Sequence, residues 1–597
     1  MKLFRAGVVA AIILSGIEAN AQQGVVEELN SIHGNFQIDA QYYEPDSTIG
    51  APAVPEKLLS NVFGNINYTR GKFSAGVRYE AYNNVRQGFL PSYKGEGIVN
   101  RFARYQTDLL DITIGNFYEQ FGNGLMLRAY YEPGLLYDNS IDGARIISSP
   151  YKGLTFKGII GKQRLFFGKG VGIVRGFDGE LNVNELFDSI LGNKKTRVIL
   201  GGSFVSKYQK DEDDKLIIPE NVGCYGGRIN IIREGFNFNT EYAYKINDPS
   251  ADNNGSYKYG DALFSTISYA GKGFSVLLQG KRIDNMSYRS DRNEGLQNLL
   301  INYLPATTKQ HSYTLLALNP YATQLKGEIG FMAEAQYKVK KNTPIGGKYG
   351  WEITVNYSQA YGLKQYAVND TLKERTFYKT KWDFAELGEQ VDVTDSVLVE
   401  AVPGVSTAYY KRETKKRNPN KYYHDFFVEI NKKLNKKLKL TLIYSNQFYN
   451  RNIVQFGSEL AGYKNLRTHI GVIDLTYKYK SSSSIRFEFQ GMFAGKVLGK
   501  AVETNSNLKA KGDWATGLIE WWPNGHVFIA VFDQWNFGNP DPKSQIHYYL
   551  GTIGYNKDAH RISLSYGKQS AGIFCVGGVC RVVPASNGIT LSITSSF

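Results

Sequence analysis

Charged and aromatic side chains are interspersed between Gly115 and Arg145, and this segment has the clearest chemical potential in the chain. A long connection that mixes both charge signs with Tyr and Phe is poorly suited to free solvent, so we predict that it packs inside a hollow body. There its acids and bases would pair and narrow the lumen, or would form a latch that only holds loops together. The candidate residues are Glu119, Arg128, Glu132, Asp138 and Arg145.

Two of the three cysteines, Cys575 and Cys580, flank the sequence Val-Gly-Gly-Val. A Gly-Gly turn between them would set the two sulfurs opposite each other across a tight hairpin. In an exported protein this spacing predicts a disulfide, which would either stiffen a surface tip or simply staple a loop. Cys224 has no such partner in the sequence, and we expect it in the wall of the fold.

The histidines suggest no catalytic or metal centre. None of the seven has a metal-ligand spacing or follows a serine in a nucleophile motif. No glycine-rich phosphate loop is present either. We therefore expect no cofactor, no metal and no enzymatic activity, although a hydrolase site scattered along the sequence is an alternative that motifs alone leave open.

Basic residues outnumber acidic ones, with a formal net charge of +15. One cluster ends the longest predicted loop and consists of Lys411, Arg412, Lys415, Lys416 and Arg417. We predict that it contacts anionic lipid headgroups or lipopolysaccharide phosphates, the alternative being a solvated loop. A nucleic-acid partner is excluded by the compartment that the first residues indicate.

Residues 1–21 have the features of a secretory signal peptide. Lys2 and Arg5 precede an apolar stretch from Ala6 to Ile17, and Ala19-Asn20-Ala21 supplies small residues for cleavage. The mature chain would then begin with a short periplasmic segment over residues 22–33. These features predict export from the cytoplasm.

Strands with two chemically different faces must position all of these side chains. On the clearest one, Ile485, Phe487 and Phe489 alternate with Arg486 and Glu488, as expected when one face meets lipid and the other a wet interior. Similar alternation recurs along the chain, which contains 42 Tyr and 33 Phe. No later segment is apolar enough for a membrane helix, so a membrane protein of this composition must be a closed barrel.

We therefore predict an all-β fold, a transmembrane antiparallel β-barrel over residues 34–597. Counting hairpins gives about 24 strands, within a range of about 18 to 26, with short periplasmic turns and long extracellular loops. One longer periplasmic connection has helical spacing from Asn184 to Leu191, with Gly192 as its stop. Loops 115–153 and 362–421 are expected to fold into the lumen or over it, because so wide a barrel would otherwise leave a large hole. The predicted location is the outer membrane, crossed many times.

The last predicted strand runs from Ile589 to Phe597, and its apolar residues share one parity with that terminal aromatic residue. Phe597 is therefore the candidate insertion signal, and the barrel-assembly machinery is the partner expected during biogenesis. Outer-membrane lipid, lipopolysaccharide and other outer-membrane proteins complete the expected partners.

Two segments carry a family resemblance. Gly115 to Gly124 leads into Leu127-Arg128-Ala129-Tyr130, and the second segment is Gly577-Gly578-Val579-Cys580-Arg581. Both resemble an uncharacterised family of Bacteroidota outer-membrane β-barrels, a domain of unknown function of the DUF6029 type. The resemblance implies a barrel from that phylum, and it implies no activity and no site residues.

Two functions are compatible with this sequence. The first is a channel or transporter-like barrel that is occluded by its own loops. The second is a structural or accessory subunit of an outer-membrane assembly, secretion or transport complex, which would use the long loops as docking surfaces. No motif in the sequence separates the two.

Overall fold

The structure is a computed structural model, and it describes residues 31–213, 218–253, 255, 257–363, 365–368, 377–380, 421–456, 465–494, 512–576 and 579–597. The predicted signal peptide therefore lies outside the described residues, as does most of loop 362–421.

Antiparallel strands make up most of the described chain. In chain order they are β1 (Ser31–Tyr43), β2 (Leu58–Arg70), β3 (Phe73–Tyr82), β4 (Gly95–Gln106), β5 (Leu110–Phe117), β6 (Tyr131–Glu132), β7 (Tyr137–Asp138), β8 (Ile141–Tyr151), β9 (Leu154–Leu165), β10 (Gly168–Asn182), β11 (Thr196–Tyr208), β12 (Asn221–Arg233), β13 (Phe236–Lys245), β14 (Gly260–Gly271), β15 (Phe274–Asp284), β16 (Gly327–Val339), β17 (Trp351–Gly362), β18 (Gln365–Val368), β19 (Phe377–Thr380), β20 (Lys421–Lys433), β21 (Leu438–Tyr449), β22 (Leu466–Lys480), β23 (Ser483–Ala494), β24 (Trp514–Trp522), β25 (Val527–Trp535), β26 (His547–Lys557), β27 (His560–Gln569), β28 (Gly572–Val576), β29 (Val579–Val583) and β30 (Ser586–Ser596).

Twenty-four of these strands form one sheet, and the pairs β6–β7, β18–β19 and β28–β29 form three separate hairpins. The sheet closes on itself because β1 pairs with β2 on one side and with β30 on the other. Ile38, for example, lies opposite Val62 and opposite Ile593. The prediction of a closed antiparallel barrel of about 24 strands is confirmed.

The two ends of the barrel differ. At one end, which we call the turn end, neighbouring strands are joined mostly by tight connections such as Gly71-Lys72 and Lys272-Gly273. At Gly273 the backbone is left-handed, with a φ of +79°, which glycine tolerates without steric cost. The opposite end, the loop end, has longer connections that include 118–140 and 285–326. Ser31 and Phe597 both lie at the turn end, as an even number of strands requires.

In the part of the chain that the structure describes, helices are few and short. The connection from β10 to β11 contains α1 (Val183–Leu186) and α2 (Asp188–Leu191), and α3 (Arg451–Phe456) lies at the loop end. The predicted helix with Gly192 as its stop is therefore confirmed as two short helices, with Gly192 as the C-cap of α2. Single 3-10 turns cover Pro91–Tyr93, Pro133–Leu135, Ala251–Asn253 and Pro542–Ser544. Among the described residues, no helix is long and apolar enough to span a membrane.

The outward face of the wall is apolar and the inward face is polar. On β23, Phe487 and Phe489 are exposed on the outside, whereas Glu488 and Gln490 are buried inside. Exposed aromatic residues form a belt near the turn end, with Phe73, Tyr105, Tyr269, Phe274, Tyr337, Trp521 and Tyr555. A second belt near the loop end contains Tyr42, Tyr79, Tyr225, Tyr242, Phe493, Trp535 and Tyr566. Two aromatic belts that border an apolar band are the surface of an outer-membrane type of barrel.

Candidate functional site

Two connections at the loop end turn inward and meet inside the barrel. We call residues 118–140 the first inner loop and residues 285–326 the second inner loop. The Arg128 amide donates a hydrogen bond to the Ile301 carbonyl at 2.8 Å, and the Tyr303 amide donates to the Gly124 carbonyl at 2.9 Å. Backbone groups that are far apart in sequence thus satisfy each other, as buried polar groups must.

The two inner loops share an apolar core with the wall. It contains Phe121, Leu125, Met126 and Leu127 from the first inner loop and Tyr288, Ile301 and Leu304 from the second, packed against inward wall residues that include Val174, Val205, Val222 and Cys224. The expectation that Cys224 is a wall residue is confirmed, and its thiol is fully buried. A shared core of this kind makes the loops part of the folded body.

The Gly-Asn-Gly turn of the first inner loop rests directly on the wall. Gly122 is left-handed, with a φ of +52°, and a Cβ there would lie 2.4 Å from a carboxylate oxygen of Glu241. The Asn123 amide donates to that carboxylate at 2.5 Å, and the Asn123 side chain donates to Asn239 at 2.7 Å. Only glycine allows the backbone to approach the wall so closely.

A buried ion-pair cluster joins the first inner loop to β3 and β9. Arg164 lies 2.5 Å from Glu80 and 2.6 Å from Asp138, and Arg78 also pairs with both carboxylates. All four side chains are at least nine-tenths buried. Two acids and two guanidinium groups balance in charge, which is the condition under which buried ions are tolerated.

Glu119 and Arg145, two of the predicted residues, form a second cluster at the foot of the first inner loop. The Glu119 carboxylate lies 3.4 Å from Arg145 and 2.8 Å from Lys157, and Arg145 also reaches Asp111 at 2.9 Å. Thus an acid of the loop is neutralised by two bases of the wall strands β8 and β9.

The other predicted residues have different surroundings. The Arg128 guanidinium lies 4.4 Å from the Tyr130 ring centre and 4.0 Å from that of Tyr303, so it is held by cation–π contacts between the two inner loops. The Glu132 carboxylate accepts a hydrogen bond from the Gly134 amide and caps a 3-10 turn. Of the range 115–153, the two ends belong to wall strands β5 and β8, and only residues 118–140 lie inside.

The far part of the second inner loop crosses to the opposite wall. Leu315 and Leu316 pack against β20 to β24, and the Leu315 amide donates to Gln490 at 2.9 Å. Nearby, His311 lies 2.6 Å from Asp425, and the Tyr313 hydroxyl donates to Asp474 at 3.0 Å. The loop therefore bridges two regions of the wall.

A polar cavity of about 360 Å³ lies beside this bridge. Its lining residues are Ser312, Tyr313 and Thr314 of the second inner loop and Arg486, Glu488, Leu518 and Phe532 of the wall. Burial and the Asp474 carboxylate raise the pKa of Tyr313, so its hydroxyl stays protonated as a donor. The volume lies in the range of small-molecule sites.

The remaining wall, from β26 through β30 to β1, carries small polar side chains on its inward face. The hydroxyls of Thr552 and Ser565 lie 2.9 Å apart, and Ser592 donates to Asp39 at 2.6 Å. These four side chains are only half-buried. This part of the interior is therefore open to solvent and able to form hydrogen bonds.

The other predicted site residues lie away from the inner loops. Strand pairing in the β28–β29 hairpin sets Cys575 directly opposite Cys580, and the disulfide stays a prediction. Phe597 exchanges backbone hydrogen bonds of 2.9 Å with Gly34, while its role in insertion stays a prediction. The basic cluster Lys411, Arg412, Lys415, Lys416 and Arg417 lies outside the described residues. No group of three or more His, Cys, Asp or Glu in the described part of the chain could hold a metal ion.

Comparison with protein families shows to which family the chain belongs. The model of DUF6029, a family of unknown function, matches residues 1–597. The chain belongs to this family. The predicted resemblance is thereby confirmed for this DUF6029 barrel, while the Bacteroidota origin stays a prediction. No curated protein matches it.

Among solved structures, this DUF6029 barrel is similar to the siderophore receptor PirA from Pseudomonas aeruginosa, with 9% identity, a TM-score of 0.38, and coverage of 96% of this chain and 81% of that chain. It is also similar to the outer membrane protein OprD from Pseudomonas aeruginosa, with 9% identity, a TM-score of 0.32, and coverage of 97% and 96%. For the outer membrane protein opdK of the same organism the identity is 10%, the TM-score 0.33, and the coverage 70% and 93%.

Proposed function

We propose that the protein is an outer-membrane channel for polar solutes, with a passage narrowed by its two inner loops. We orient the barrel with its loop end toward the outside of the cell and its turn end toward the periplasm. A wall of 24 strands would by itself enclose a wide aqueous hole. The inner loops reduce that hole to a path of molecular size.

The observation that carries the proposal is the contrast between two parts of the interior. The second inner loop bridges the wall through Leu315 and Tyr313, whereas the wall around Ser592 and Thr552 presents half-buried hydroxyls. A solute would therefore pass along the hydroxyl-lined wall and beside the polar cavity. Hydroxyl and amide groups replace water around a polar solute at little cost.

The inner loops would act as a fixed constriction. Buried or half-buried contacts anchor the first inner loop to several wall strands: Asp138 contacts β3 and β9, Glu119 contacts β8 and β9, and Asn123 contacts β13. Releasing the loop would leave several of these charges buried without partners, which is strongly unfavourable. A constriction that is built into the core gives a steady pore and not a gated one.

Reconstitution of the full-length protein into planar bilayers and liposomes tests this function. We expect steady single-channel conductance and uptake of small neutral sugars with a clear size limit. Arg128→Ala removes the cation–π contacts between the inner loops and should increase current noise or conductance. Arg70→Ala, an exposed residue at the turn end, is the matched control and should behave like the native chain.

The alternative role gives a different result. A barrel with no conductance and no solute uptake that co-purifies with stable partners in mild detergent would be an accessory subunit, and the channel proposal would be abandoned.

A further inference from the structure

Four basic side chains lie on the outward face of the wall between β4 and β10, in the half nearer the loop end. These are Arg101, Lys162, Lys169 and Arg175, which we call the lateral cationic cluster. Asp142 on β8 lies 3.5 Å from Arg101 and 2.6 Å from Lys169, and it is paired directly opposite Lys162. Within the described residues, no other carboxylate forms an ion pair with any of the four.

This excess of positive charge is unusual for a surface that faces lipid, where unneutralised charges are costly. A second charged cluster, formed by Arg282 and Asp284 of β15, Asp261 of β14 and Lys258 of the connection before β14, is mostly buried and shows the ordinary arrangement. There Arg282 lies 2.5 Å from Asp261, and Lys258 lies 2.5 Å from Asp284, so acids and bases balance. The lateral cationic cluster lacks that balance, and about half of the Arg101 and Lys169 side-chain surfaces remain exposed. Its chemistry is therefore suited to an external anion.

An open apolar groove of about 510 Å³ begins at Arg101. Its centre is one lateral row of residues on β2 to β5, in which Tyr68 pairs with Ala75, Ala75 with Ala103, and Ala103 with Ile114. The two alanines leave a depression between the larger side chains that flank them. A depression of this shape on a lipid-facing wall is suited to a hydrocarbon chain, because burying apolar surface there is favourable.

We propose that the groove and the lateral cationic cluster together bind one phosphorylated glycolipid of the outer leaflet, lipid A. Its phosphates lie on Arg101, Lys162 and Lys169, and one acyl chain occupies the groove. Arg101 and Lys162 are three strands apart, a span of roughly 14 Å at about 4.8 Å per strand. A headgroup with more than one anionic group spans that distance better than the single phosphate of a phospholipid.

The inference rests on the proposed orientation of the barrel, because only the outer leaflet contains this lipid. It does not rest on conduction, since all residues of the site face away from the lumen. The channel proposal and the lipid proposal can therefore be refuted independently of each other.

Native mass spectrometry of the full-length protein in detergent, titrated with purified lipid A, measures binding. Arg101→Gln/Lys169→Gln removes two exposed charges and should weaken lipid A binding by roughly 30-fold. The charge-matched control is Lys152→Gln/Lys195→Gln, two exposed lysines at the turn end, which should bind like the native protein. Both double variants should migrate as heat-modifiable folded barrels, and both should conduct like the native protein.

Filling the groove tests the acyl chain separately. Ala103→Phe places a ring in the groove and should weaken lipid A binding, whereas Ala335→Phe on the outward face of β16 should not. Dephosphorylated lipid A and phosphatidylglycerol should bind more weakly than lipid A. Equal binding of dephosphorylated lipid A, equal binding of phosphatidylglycerol, or equal effects of the test and control variants would each overturn the proposal.

Discussion

At the scale of single residues, Asp138 is the group on which the first inner loop depends most. Its carboxylate neutralises Arg78 and Arg164, two guanidinium groups that are almost completely buried in the wall. Asp138 can be selected from the sequence because it is charged and accompanied by aromatic residues. Its two arginine partners cannot, because contacts between a loop and distant strands leave no periodic signal in the chain.

Asp138→Asn should therefore destabilise the barrel strongly. The substitution leaves an unbalanced positive charge in a buried cluster, and breaking such a cluster costs about 3–5 kcal/mol. Urea unfolding in detergent, followed by heat-modifiability on gels, measures the change in the free energy of unfolding. Asp188→Asn is the control, since Asp188 pairs with Lys152 where both side chains are 60% exposed. If both variants lost a similar free energy of unfolding, this result would contradict the role assigned to the buried cluster.

A second prediction at this scale concerns ion selectivity. Glu488 and Asp474 supply two carboxylates beside the polar cavity, against one guanidinium from Arg486. The excess negative charge should make the pore prefer cations. Glu488→Gln should shift the reversal potential in a KCl gradient toward zero. Asp533→Asn alters an outward carboxylate that pairs with His547 and should leave the reversal potential unchanged.

At the scale of elements, the far part of the second inner loop, residues 308–320, begins and ends at nearly the same place in the structure. Lys281 Nζ donates 2.7 Å hydrogen bonds to both the Pro305 carbonyl and the Thr323 hydroxyl, and those two oxygens lie 3.4 Å apart. Residues 308–320 can therefore be replaced by two glycines without stretching the chain. This excision removes the bridge to β20–β24 and should raise single-channel conductance by about twofold or more, since wide barrels without plugs conduct freely.

Shortening the exposed turn between β16 and β17 is the matched control for this excision. Deleting residues 344–346 there changes chain length at the turn end, without touching the lumen, and should leave conductance unchanged. An excised channel with native conductance would show that the bridge does not limit the current.

Another element, the loop of residues 44–57, is tied to the wall by a pH-dependent contact. Lys568 lies 2.6 Å from Asp46, and its hydrogen bond, followed by that of the Thr48 hydroxyl, holds the pKa of Asp46 below its usual value. A lowered pKa in the folded loop means that this contact stabilises the loop above the unfolded pKa and is lost as the pH falls through the folded one. Protection of residues 44–57 in hydrogen exchange should therefore be present at pH 7 and decrease toward pH 3.

Two substitutions distinguish loss of the Asp46–Lys568 contact from general unfolding of the protein in acid. Asp46→Asn should remove the protection at neutral pH as well, while Glu56→Gln in the same loop should retain the native pH profile. If the Asp46→Asn chain keeps full protection at pH 7, another contact holds the loop.

Elements of the wall are predictable because period-two alternation is a local property. The outward orientation of Phe487 and Phe489 on β23 follows from this local alternation alone. The rule fails at β5, where Gly115 is left-handed and the strand ends at Phe117, so that a loop is predicted from residue 115 onward. The inner loops are less predictable still, because Arg128 and Ile301 meet only through tertiary packing.

At the scale of the whole molecule, closure of the barrel depends on the seam between β1 and β30. These two strands are the most distant in sequence, yet Ile38 lies opposite Ile593, and the Ser592 hydroxyl donates to Asp39 at 2.6 Å. Closure is predictable from the sequence because every backbone group in a membrane must be paired, whereas the side chains that meet at the seam are not.

Gly34 is a tightly packed point of that seam at the turn end, and its replacement should weaken closure of the entire barrel. A Cβ on Gly34 would lie 2.4 Å from the Asn65 carbonyl oxygen and 2.8 Å from the Phe597 ring. Gly34→Val must therefore displace the backbone of β2 at Asn65 and the terminal ring of Phe597 that follows β30, and the fraction of barrel that resists heating in detergent should fall. Gly517→Val on β24 adds the same side chain where no atom lies within 4 Å, and its higher strand propensity should preserve or raise that fraction. If both variants resist heating equally, strand pairing elsewhere holds the barrel closed and the seam is not its weak point.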